Sequence, residues 1–445
     1  MDLVDVTKFK WILILEFAFA GAYVSITRGL FIVFLTTSGY GVDGISFVIL
    51  ISTIVSTCVG LIIYKFPSFI RNNVKAKLIA FHGFGRLIWF LMPLIDNITF
   101  ILFFYSIYMV FSFFVSVFMN FTIYGSLQDQ DVKDVLAKRS ASGGLSSVIG
   151  LILGIFLLAY LPPESKFVYI FSLGAFIGIL STILLLFLNF SCLDFITYSR
   201  AIEKPEKVFS TSLFLVILIT GGSLLTLMWT PYIITTLNAP DYFVGVLNLV
   251  GTISSIIASL AWRGRNLKTL RKGNILSSLS PLIIIFTSVP VLHIFISAFN
   301  SFMYTGANFL GTFLFAEYKK WYGAVKSSII LTIIGNIALL LVAPLGIIIK
   351  ENYLFAFLSI FVILLFSALL ALFLIPEVSI IPEIYAGTYS SIIYRTSLIG
   401  YSITLQLSKK MALTTIKLIA LTFVLIMLYV IYRFLTIALV NLNAV

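Results

Sequence analysis

The chain has 445 residues, of which 60% are hydrophobic and 10% are charged, with a formal net charge of +12. Soluble domains carry about 25% charged residues, so this composition leaves too little polar surface to cover a water-soluble body. It indicates a polytopic helical membrane protein, because its apolar runs are much longer than the ~10-residue strands of a transmembrane barrel. A cleavable signal peptide is not expected, since polar residues 1–10 lead into a run that is too long for a signal h-region.

Apolar runs predict twelve membrane-spanning helices in chain order, because about 20 helical residues cross the hydrocarbon core of a bilayer. The predicted spans lie at residues 11–36, 44–64, 78–96, 99–119, 141–161, 167–190, 211–237, 242–262, 275–290, 292–315, 328–349 and 354–375. The longest polar connection before the carboxy-terminal tail, 191–210, divides them into six and six.

Basic residues are concentrated in alternate connections between these spans. One set of connections begins with the amino-terminal segment, which carries Lys8 and Lys10, and every later member of the set also carries several Lys or Arg residues. The opposite set carries only Lys166 and Lys350. By the positive-inside rule this predicts a cytoplasmic amino terminus. Membrane topology thus explains the net positive charge, and no nucleic-acid partner is expected.

The two halves of the chain resemble each other at corresponding points. The stretch FIVFLTTSGYGVD at 31–43 aligns with WTPYIITTLNAPD at 229–241. A second match places Asn120 and Phe121 on Asn308 and Phe309. These matches predict a duplicated six-helix unit. The predicted organisation is a first six-helix bundle at 1–192, a cytoplasmic central loop at 193–210, a second bundle at 211–375 and a carboxy-terminal extension at 376–445.

The extension departs from the six-plus-six pattern. Residues 376–410 carry a loose helical stripe of apolar residues, which is typical of an amphipathic segment lying at the cytoplasmic interface. Residues 417–440 are long enough to form a thirteenth span. A fourteenth span at 383–407 is the alternative, but it would place Lys409 and Lys410 outside, so thirteen spans and an external carboxy terminus are preferred.

Polar stripes run along the fourth and tenth predicted spans, since residues four apart share a helix face. The fourth span carries Tyr108, Ser112, Ser116 and Asn120, and the tenth carries Asn300, Tyr304 and Asn308. Membrane Ser and Asn residues commonly hydrogen-bond between helices, so packing is one explanation of the stripes. Lining of a polar cavity is the other.

The chain resembles the major facilitator superfamily over about residues 8–375. The resemblance rests on the two six-span halves, the cytoplasmic central loop and the basic loops after the second and eighth spans. The family's signature after the second helix combines glycine, an aspartate and basic residues, and here Gly60, Lys65 and Arg71 stand in that region. Tyr64 occupies the position expected to be acidic, and the second glycine of the signature is missing.

The resemblance implies two pseudo-symmetric bundles that rock about a site at the membrane midplane. The first, fourth, seventh and tenth helices would line the cavity, and Trp229 and Tyr232 on the seventh would be further lining candidates. An interfacial or packing role for these two aromatics is the alternative. Charged groups near the cytoplasmic ends would form gate salt bridges. The gate candidates are Lys65, Asp129, Lys138, Arg139, Arg263, Glu317 and Lys326.

Charged residues inside the first and third spans are the main candidates for function, since a charge at the bilayer centre costs about 2.5–3.5 kcal/mol. Glu16 and Arg28 lie about 18 Å apart along one helix and cannot pair with each other. Arg28 is interpreted as an anion-binding or gating group, or as a structural or snorkelling side chain. Glu16 is interpreted as a proton carrier or a member of an ion pair. Arg86 is expected to be structural, and His82 interfacial rather than a proton relay.

The sequence thus predicts a monomeric secondary active transporter of the plasma membrane that moves a small solute by alternating access. Proton coupling is left open, and the basic charges of the first half favour an anionic substrate. No enzyme activity, cofactor or metal site is expected, because no Gly-rich ATP-binding motif, catalytic cluster or metal-ligand spacing is present. Two alternatives stay open: a flippase for lipid-linked oligosaccharides, and a non-transporting membrane scaffold or assembly partner.

Overall fold

The computed structural model describes residues 3–66, 68–71, 73–94, 97–127, 129–188, 207–262, 265–317 and 319–374. In these ranges the backbone is built from α-helices joined by short turns. The predictions for the extension at 376–445, namely the interfacial segment and the thirteenth span, lie outside the described residues.

The helices follow the predicted spans in chain order. The first half contains α1 (Leu3–Ile26), α2 (Phe31–Thr37), α3 (Val42–Lys65), α4 (Ser68–Arg71), α5 (Val74–Leu91), α6 (Ile98–Ser126), α7 (Asp129–Tyr160) and α8 (Lys166–Leu186). The second half contains α9 (Lys207–Pro231), α10 (Asp241–Trp262), α11 (Leu267–Ser277), α12 (Ser280–Ile285), α13 (Leu292–Glu317), α14 (Lys319–Ile349) and α15 (Tyr353–Leu374).

Nine helices within the described ranges are long and apolar enough to cross a bilayer. They are Thr7–Thr37, Val42–Lys65, Ile98–Ile123, Lys138–Tyr160, Lys166–Leu186, Thr211–Thr236, Asp241–Trp262, Thr332–Ile349 and Tyr353–Leu372. The third, ninth and tenth predicted spans correspond to α5, to α11 with α12, and to α13. The chain is a multi-pass helical membrane protein.

The ninth predicted span, 275–290, is not a single helix. α11 ends at Ser277, and α12 begins at Ser280 with Pro281 in its first turn. Proline has no backbone N–H and its ring clashes with the preceding helical turn, so it favours the start of a new helix over the continuation of the old one. The prediction of one continuous helix here is wrong for this reason.

Helix contacts in the first half recur in the second. α1 packs on α7 and α8, as α9 packs on α14 and α15. α3 packs on α6, as α10 packs on α13; α5 packs on α6 and α8, as α11 packs on α13 and α15. The two halves meet where α3 packs on α14 and where α7 packs on α10.

Small residues allow α1 and α7 to approach closely. A Cβ atom added at Gly21 would lie 2.9 Å from the Cα of Gly143 and 2.6 Å from the Oγ of Ser146. The Ser147 hydroxyl donates to the carbonyl of Gly21 at 3.0 Å, so a hydrogen bond also links the two backbones. Close backbone approach with Ser and Gly at the interface is the usual way that membrane helices associate.

We expect Gly21→Ala to destabilise the protein, because the added methyl group meets the backbone of α7 and forces the helices apart. Overpacking of this kind costs about 1–3 kcal/mol. The measurement is the thermal unfolding of the purified protein in detergent, followed by tryptophan fluorescence. Gly335→Ala on α14 is the control: no atom lies within 4 Å of its added Cβ, so no loss is expected. An unchanged melting temperature for Gly21→Ala would contradict the close α1–α7 contact.

Candidate functional site

The first span is interrupted in the half that follows Ile26. α1 ends at Ile26, Thr27 leaves the helical region with φ −93° and ψ −81°, and Arg28–Leu30 form a single 3-10 turn before α2 resumes at Phe31. The amide and the hydroxyl of Thr27 both donate to the Tyr23 carbonyl, at 3.0 and 2.7 Å, and the Leu30 amide donates to the Thr27 carbonyl at 3.1 Å. The regular helical ladder therefore continues to Thr27, and the break follows it. Interrupted helices in membrane proteins occur where backbone is buried in protein or lines a cavity.

Arg28 lies in this interruption, and its side chain is exposed although the residue is well inside the span. Tyr23 of α1 and Tyr105 and Tyr108 of α6 are buried and lie close enough to interact electrostatically with its guanidinium group. The amide of Asn248, on α10 of the other half, donates to the adjacent Gly29 carbonyl at 3.4 Å. Arg28 thus lies beside the junction of the two halves, and no carboxylate of the described residues forms an ion pair with it.

The two polar stripes have mixed environments. Tyr108 is buried, and the remaining members are partly buried: Ser112, Ser116 and Asn120 on α6, and Asn300, Tyr304 and Asn308 on α13. The Tyr304 hydroxyl lies 3.5 Å from the Leu218 carbonyl of α9, which is a packing contact. The buried Oδ1 of Asn300 has no hydrogen-bond partner among the described residues.

Other residues supply the polar bonds between α10 and α13. Ser297 donates to the Leu247 carbonyl at 2.8 Å, and the hydroxyls of Ser255 and Thr305 lie 2.9 Å apart. On α6, likewise, Ser106 lies on a different face from the stripe, with its hydroxyl 3.0 Å from that of Ser52 on α3. The stripe residues take no part in these three contacts.

A network of buried charged groups surrounds Glu16, whose exposure is 2%. Its Oε2 atom lies 3.2 Å from Nη2 of Arg139 on α7, and its Oε1 atom lies 3.3 Å from Nε2 of His82 on α5. The Arg139 guanidinium also lies 4.7 Å above the ring of Phe17. A buried carboxylate is tolerated when an opposite charge and hydrogen bonds compensate it, and Arg139 supplies that charge.

His82 extends the network to two more groups. Its Nδ1 atom lies 2.7 Å from the Thr182 hydroxyl on α8, and its Nε2 atom lies 3.0 Å from Nη2 of Arg86. The Arg86 guanidinium lies 3.9 Å above the ring of Tyr23. The network therefore connects α1, α5, α7 and α8 within the first half.

The expectation that His82 is interfacial is wrong, because the residue is fully buried in this network. A signal was present in the sequence: His82 and Arg86 are four residues apart and share a face of the third span, and Glu16 needed a partner other than Arg28. Thr182 carries no charge, and no feature of the sequence indicated its role.

The two aromatic candidates of the seventh span surround His293. The Trp229 indole donates to Nδ1 of His293 at 3.0 Å, and Nε2 of that histidine lies 2.9 Å from the Thr287 carbonyl. The Tyr232 ring packs against the same imidazole, with a centroid distance of 6.1 Å. These contacts satisfy both histidine nitrogens and occupy the indole N–H of Trp229, so the cluster has a clear packing role.

The predicted cytoplasmic gate residues have diverse environments. Lys138 forms an exposed ion pair with Asp134 at 2.9 Å, Arg139 contacts Glu16, and Lys65 lies 5.7 Å from the centroid of the Phe66 ring. The remaining candidates lie outside what the structure describes, either as whole residues or in their side chains: Asp129, Arg263, Glu317 and Lys326.

An ion pair that was not predicted joins the two halves. Lys166, the first residue of α8, contacts the Oδ2 atom of Asp241, the first residue of α10, and their side chains are 11% and 13% exposed. The positive-inside pattern assigns this end of the helices to the outside. The sequence offered two signals, since Lys166 is one of two basic residues in the outer connections and Asp241 aligns with Asp43 in the repeat.

Solved structures of transporters share this helix arrangement. A bacterial homologue of the iron transporter ferroportin, in an inward-facing state, has a TM-score of 0.63 at 13% identity, with 85% of this chain and 100% of that chain covered. The nucleoside transporter NupG has a TM-score of 0.60 at 12% identity, covering 84% and 98%. A bacterial metal transporter has a TM-score of 0.57 at 13% identity, covering 81% and 97%. The chain has the major facilitator superfamily fold.

The sequence resemblance to the major facilitator superfamily is thereby confirmed at the level of the fold. No protein-family sequence model and no curated protein sequence matches the chain. At 12–13% identity the structural matches establish the arrangement of helices in a membrane transporter fold. The sites and substrates of those proteins are not transferred by the comparison.

We expect Arg139→Met to lower the stability of the protein strongly, because it removes the cation beside the buried carboxylate of Glu16. Breaking one side of a buried pair costs about 3–5 kcal/mol. The measurement is the melting temperature in detergent. Lys138→Met is the matched control, since its pair with Asp134 is exposed and such pairs contribute about 0–1 kcal/mol. Adding Glu16→Gln to Arg139→Met should recover part of the loss; equal melting temperatures for the two single variants would contradict the pairing.

Proposed function

We propose that the protein is a secondary active transporter that moves a small solute across the membrane by alternating access. The observation that carries this proposal is the interruption of the first span at Arg28, which presents an accessible guanidinium group beside the junction of the halves. Substrate sites of transporters lie near the midplane where helices are discontinuous. The structural neighbours, a nucleoside transporter, a ferroportin homologue and a metal transporter, support the same class of function.

The proposed architecture has twelve spans in two pseudo-symmetric six-helix bundles, at 1–192 and 211–375. The recurrence of helix contacts between the halves supports it. The basic connections support a cytoplasmic amino terminus. We place the protein in the plasma membrane, as a monomer within the lipid bilayer.

In this proposal Arg28 binds the substrate, together with Tyr108 and the remaining stripe residues of α6 and α13. Trp229, Tyr232 and the π-helical turn Tyr232–Thr236 shape the opposite wall. A guanidinium group binds carboxylate and phosphate oxygens well, so Arg28 favours an anionic substrate. The buried network around Glu16 is the proposed proton-coupling site, and Arg86 lies between Glu16 and the substrate region, over the ring of Tyr23.

Alternating access requires contacts that close one side and break when that side opens. The Lys166–Asp241 pair bridges the halves at the ends that the positive-inside pattern assigns to the outside, so in this proposal it stabilises a conformation closed on that side. The predicted gate residues at the cytoplasmic ends, such as Lys65 and Lys138, would act in the opposite conformation. The flippase and scaffold alternatives gain no support from these contacts or from the structural neighbours.

Arg28→Gln should reduce transport about 10- to 100-fold, because hydrogen bonds to a charged group contribute about 1.5–3 kcal/mol. The measurement is gradient-driven and counterflow uptake into proteoliposomes. The probe panel contains small carboxylates, inorganic phosphate, nucleosides and ferrous iron. Lys75→Gln is the control, because Lys75 is exposed at the start of α5 and away from the cavity. Absence of flux of every probe in the wild type, or unchanged flux in Arg28→Gln, would refute the proposal.

Neutralising the outer ion pair should open the outer side. Lys166→Gln or Asp241→Asn should each shift the conformational equilibrium by about 1–2 kcal/mol, a factor of about 5 to 30. The measurement is the rate at which a membrane-impermeant maleimide, added outside, labels Asn248→Cys in a chain whose two native cysteines are replaced by serine.

The charge-reversed double variant Lys166→Asp/Asp241→Lys should restore slow labelling, because it rebuilds the pair. Lys350→Gln is the control, since Lys350 is exposed and on the same side of the membrane. Acceleration in the control equal to that in Lys166→Gln, or no recovery in the double variant, would show that the pair does not hold the outer ends together.

A further inference from the structure

The contact between Arg86 and His82 indicates the tautomer of the histidine. Nη2 of Arg86 lies 3.0 Å from Nε2 of His82 and can only donate, so Nε2 accepts. Nδ1 then carries the hydrogen of the neutral ring and donates it to the Thr182 hydroxyl, 2.7 Å away, and that hydroxyl can in turn donate to the Gly178 carbonyl at 3.2 Å. In the neutral imidazole this leaves Nε2 with a lone pair and no hydrogen.

Two groups compete for that Nε2 atom. Arg86 Nη2 lies 3.0 Å from it and can only donate, whereas Glu16 Oε1 lies 3.3 Å from it and, when ionised, can only accept. A nitrogen with one lone pair or one hydrogen cannot satisfy both. Neutral His82 accepts from Arg86, and protonated His82 donates to Glu16.

We infer that His82 is a proton-binding site of the transporter, and that protonation transfers its Nε2 contact from Arg86 on its own helix to Glu16 on α1. This inference rests on the proposed transport function and names the residue that binds the coupling ion. The proton adds to the Nε2 lone pair, the Arg86 N–H···N bond breaks, and an N–H···O bond to the Glu16 carboxylate forms. No electron transfer or further reactant is needed.

The charges around His82 determine which form is present here. Glu16 and Tyr23 approach from α1, Arg86 from α5 itself and Arg139 from α7, while α8 contributes the uncharged Thr182. Two guanidinium groups thus face one carboxylate. A proton on Nε2 would add a third positive charge, so the arrangement with Arg86 in contact is the proton-free form. Protonation requires Arg86 to withdraw.

Tyr23 connects this site with the cavity. The Arg86 guanidinium lies on its ring, and its buried hydroxyl has no hydrogen-bond partner among the described residues. Tyr108 on α6 lies near the same hydroxyl, and both tyrosines lie near Arg28. Tyr23 is therefore the side chain that lies between the Arg86 guanidinium and the proposed substrate region.

The tautomer can be tested without any transport. The chain has two histidines, so the variant His293→Gln, whose amide oxygen can still accept from Trp229, leaves His82 as the single one. ¹⁵N-histidine NMR of this variant in detergent should show the Nδ1–H tautomer at neutral pH. Acidification should produce an imidazolium with an Nε2–H signal. When Glu16→Gln is combined with His293→Gln in one chain, this signal should be lost or displaced. An Nε2–H tautomer at neutral pH, or an imidazolium insensitive to Glu16→Gln, would overturn the inference.

Coupling is tested by His82→Gln in proteoliposomes. Gln cannot be protonated, so we expect loss of proton-driven accumulation with retained counterflow exchange of the same transported probe. Lys75→Gln, at an exposed residue near the start of α5, should keep both activities. Loss of counterflow in His82→Gln together with a lowered melting temperature, or retained proton-driven accumulation, would assign His82 a structural role and refute the inference. If the wild type moves no probe, the proposed transport function fails, whereas the NMR result still decides the tautomer and the exchange of partners.

Discussion

The buried carboxylate of Glu16 is the interaction on which the first half of the structure depends. A charge placed inside a membrane span must find a partner, because neither lipid nor an apolar helix surface can solvate it. Arg139 supplies the opposite charge, and His82 supplies a polar contact from a third helix. Since α1, α5 and α7 all contribute, the need to compensate one charge fixes the relative positions of these helices.

The interruption at Arg28 has a different physical origin. The helical ladder gives way after Thr27, whose amide and hydroxyl both donate to the Tyr23 carbonyl. The Thr27 carbonyl accepts from the Leu30 amide, so the chain bends without leaving that group unsatisfied. Arg28 is left exposed next to the second half, while the tyrosines around it remain buried. This exposed cation therefore lies where the two halves meet, and Tyr23 lies between it and the buried Glu16 network.

The halves share helix contacts but differ in their polar chemistry. The buried ionic network around Glu16 belongs to the first half, whereas His293 of the second half is satisfied by Trp229 and the Thr287 carbonyl without an ion pair. The halves meet where α3 packs on α14 and α7 packs on α10, and the Asn336–Ser56 hydrogen bond and the Lys166–Asp241 pair connect them.

The sequence by itself determined the class of protein, the approximate positions of most helices and the resemblance to the major facilitator superfamily fold. The bilayer requires apolar runs of about 20 residues, and such runs are visible in the sequence, although the run at 275–290 does not form one continuous helix. The sequence also indicated that Glu16, Arg28, His82 and Arg86 needed an explanation, because each is costly in a membrane. It did not show the break between α1 and α2. Helix propensity does not predict that Thr27 leaves the helical region, or that its carbonyl accepts from the Leu30 amide.

Only the tertiary structure decided which charges meet. Arg139 pairs with Glu16, a partner that the sequence did not indicate, and His82 was expected at the interface and instead lies fully buried beside Glu16. The contact of Thr182 with His82 and the Lys166–Asp241 pair were likewise known only from the tertiary structure. Periodicity places a side chain on a face of its own helix, but partners on different helices are selected by how those helices pack. That packing depends on close contacts, such as Gly21 against Gly143, that are distributed along the whole chain.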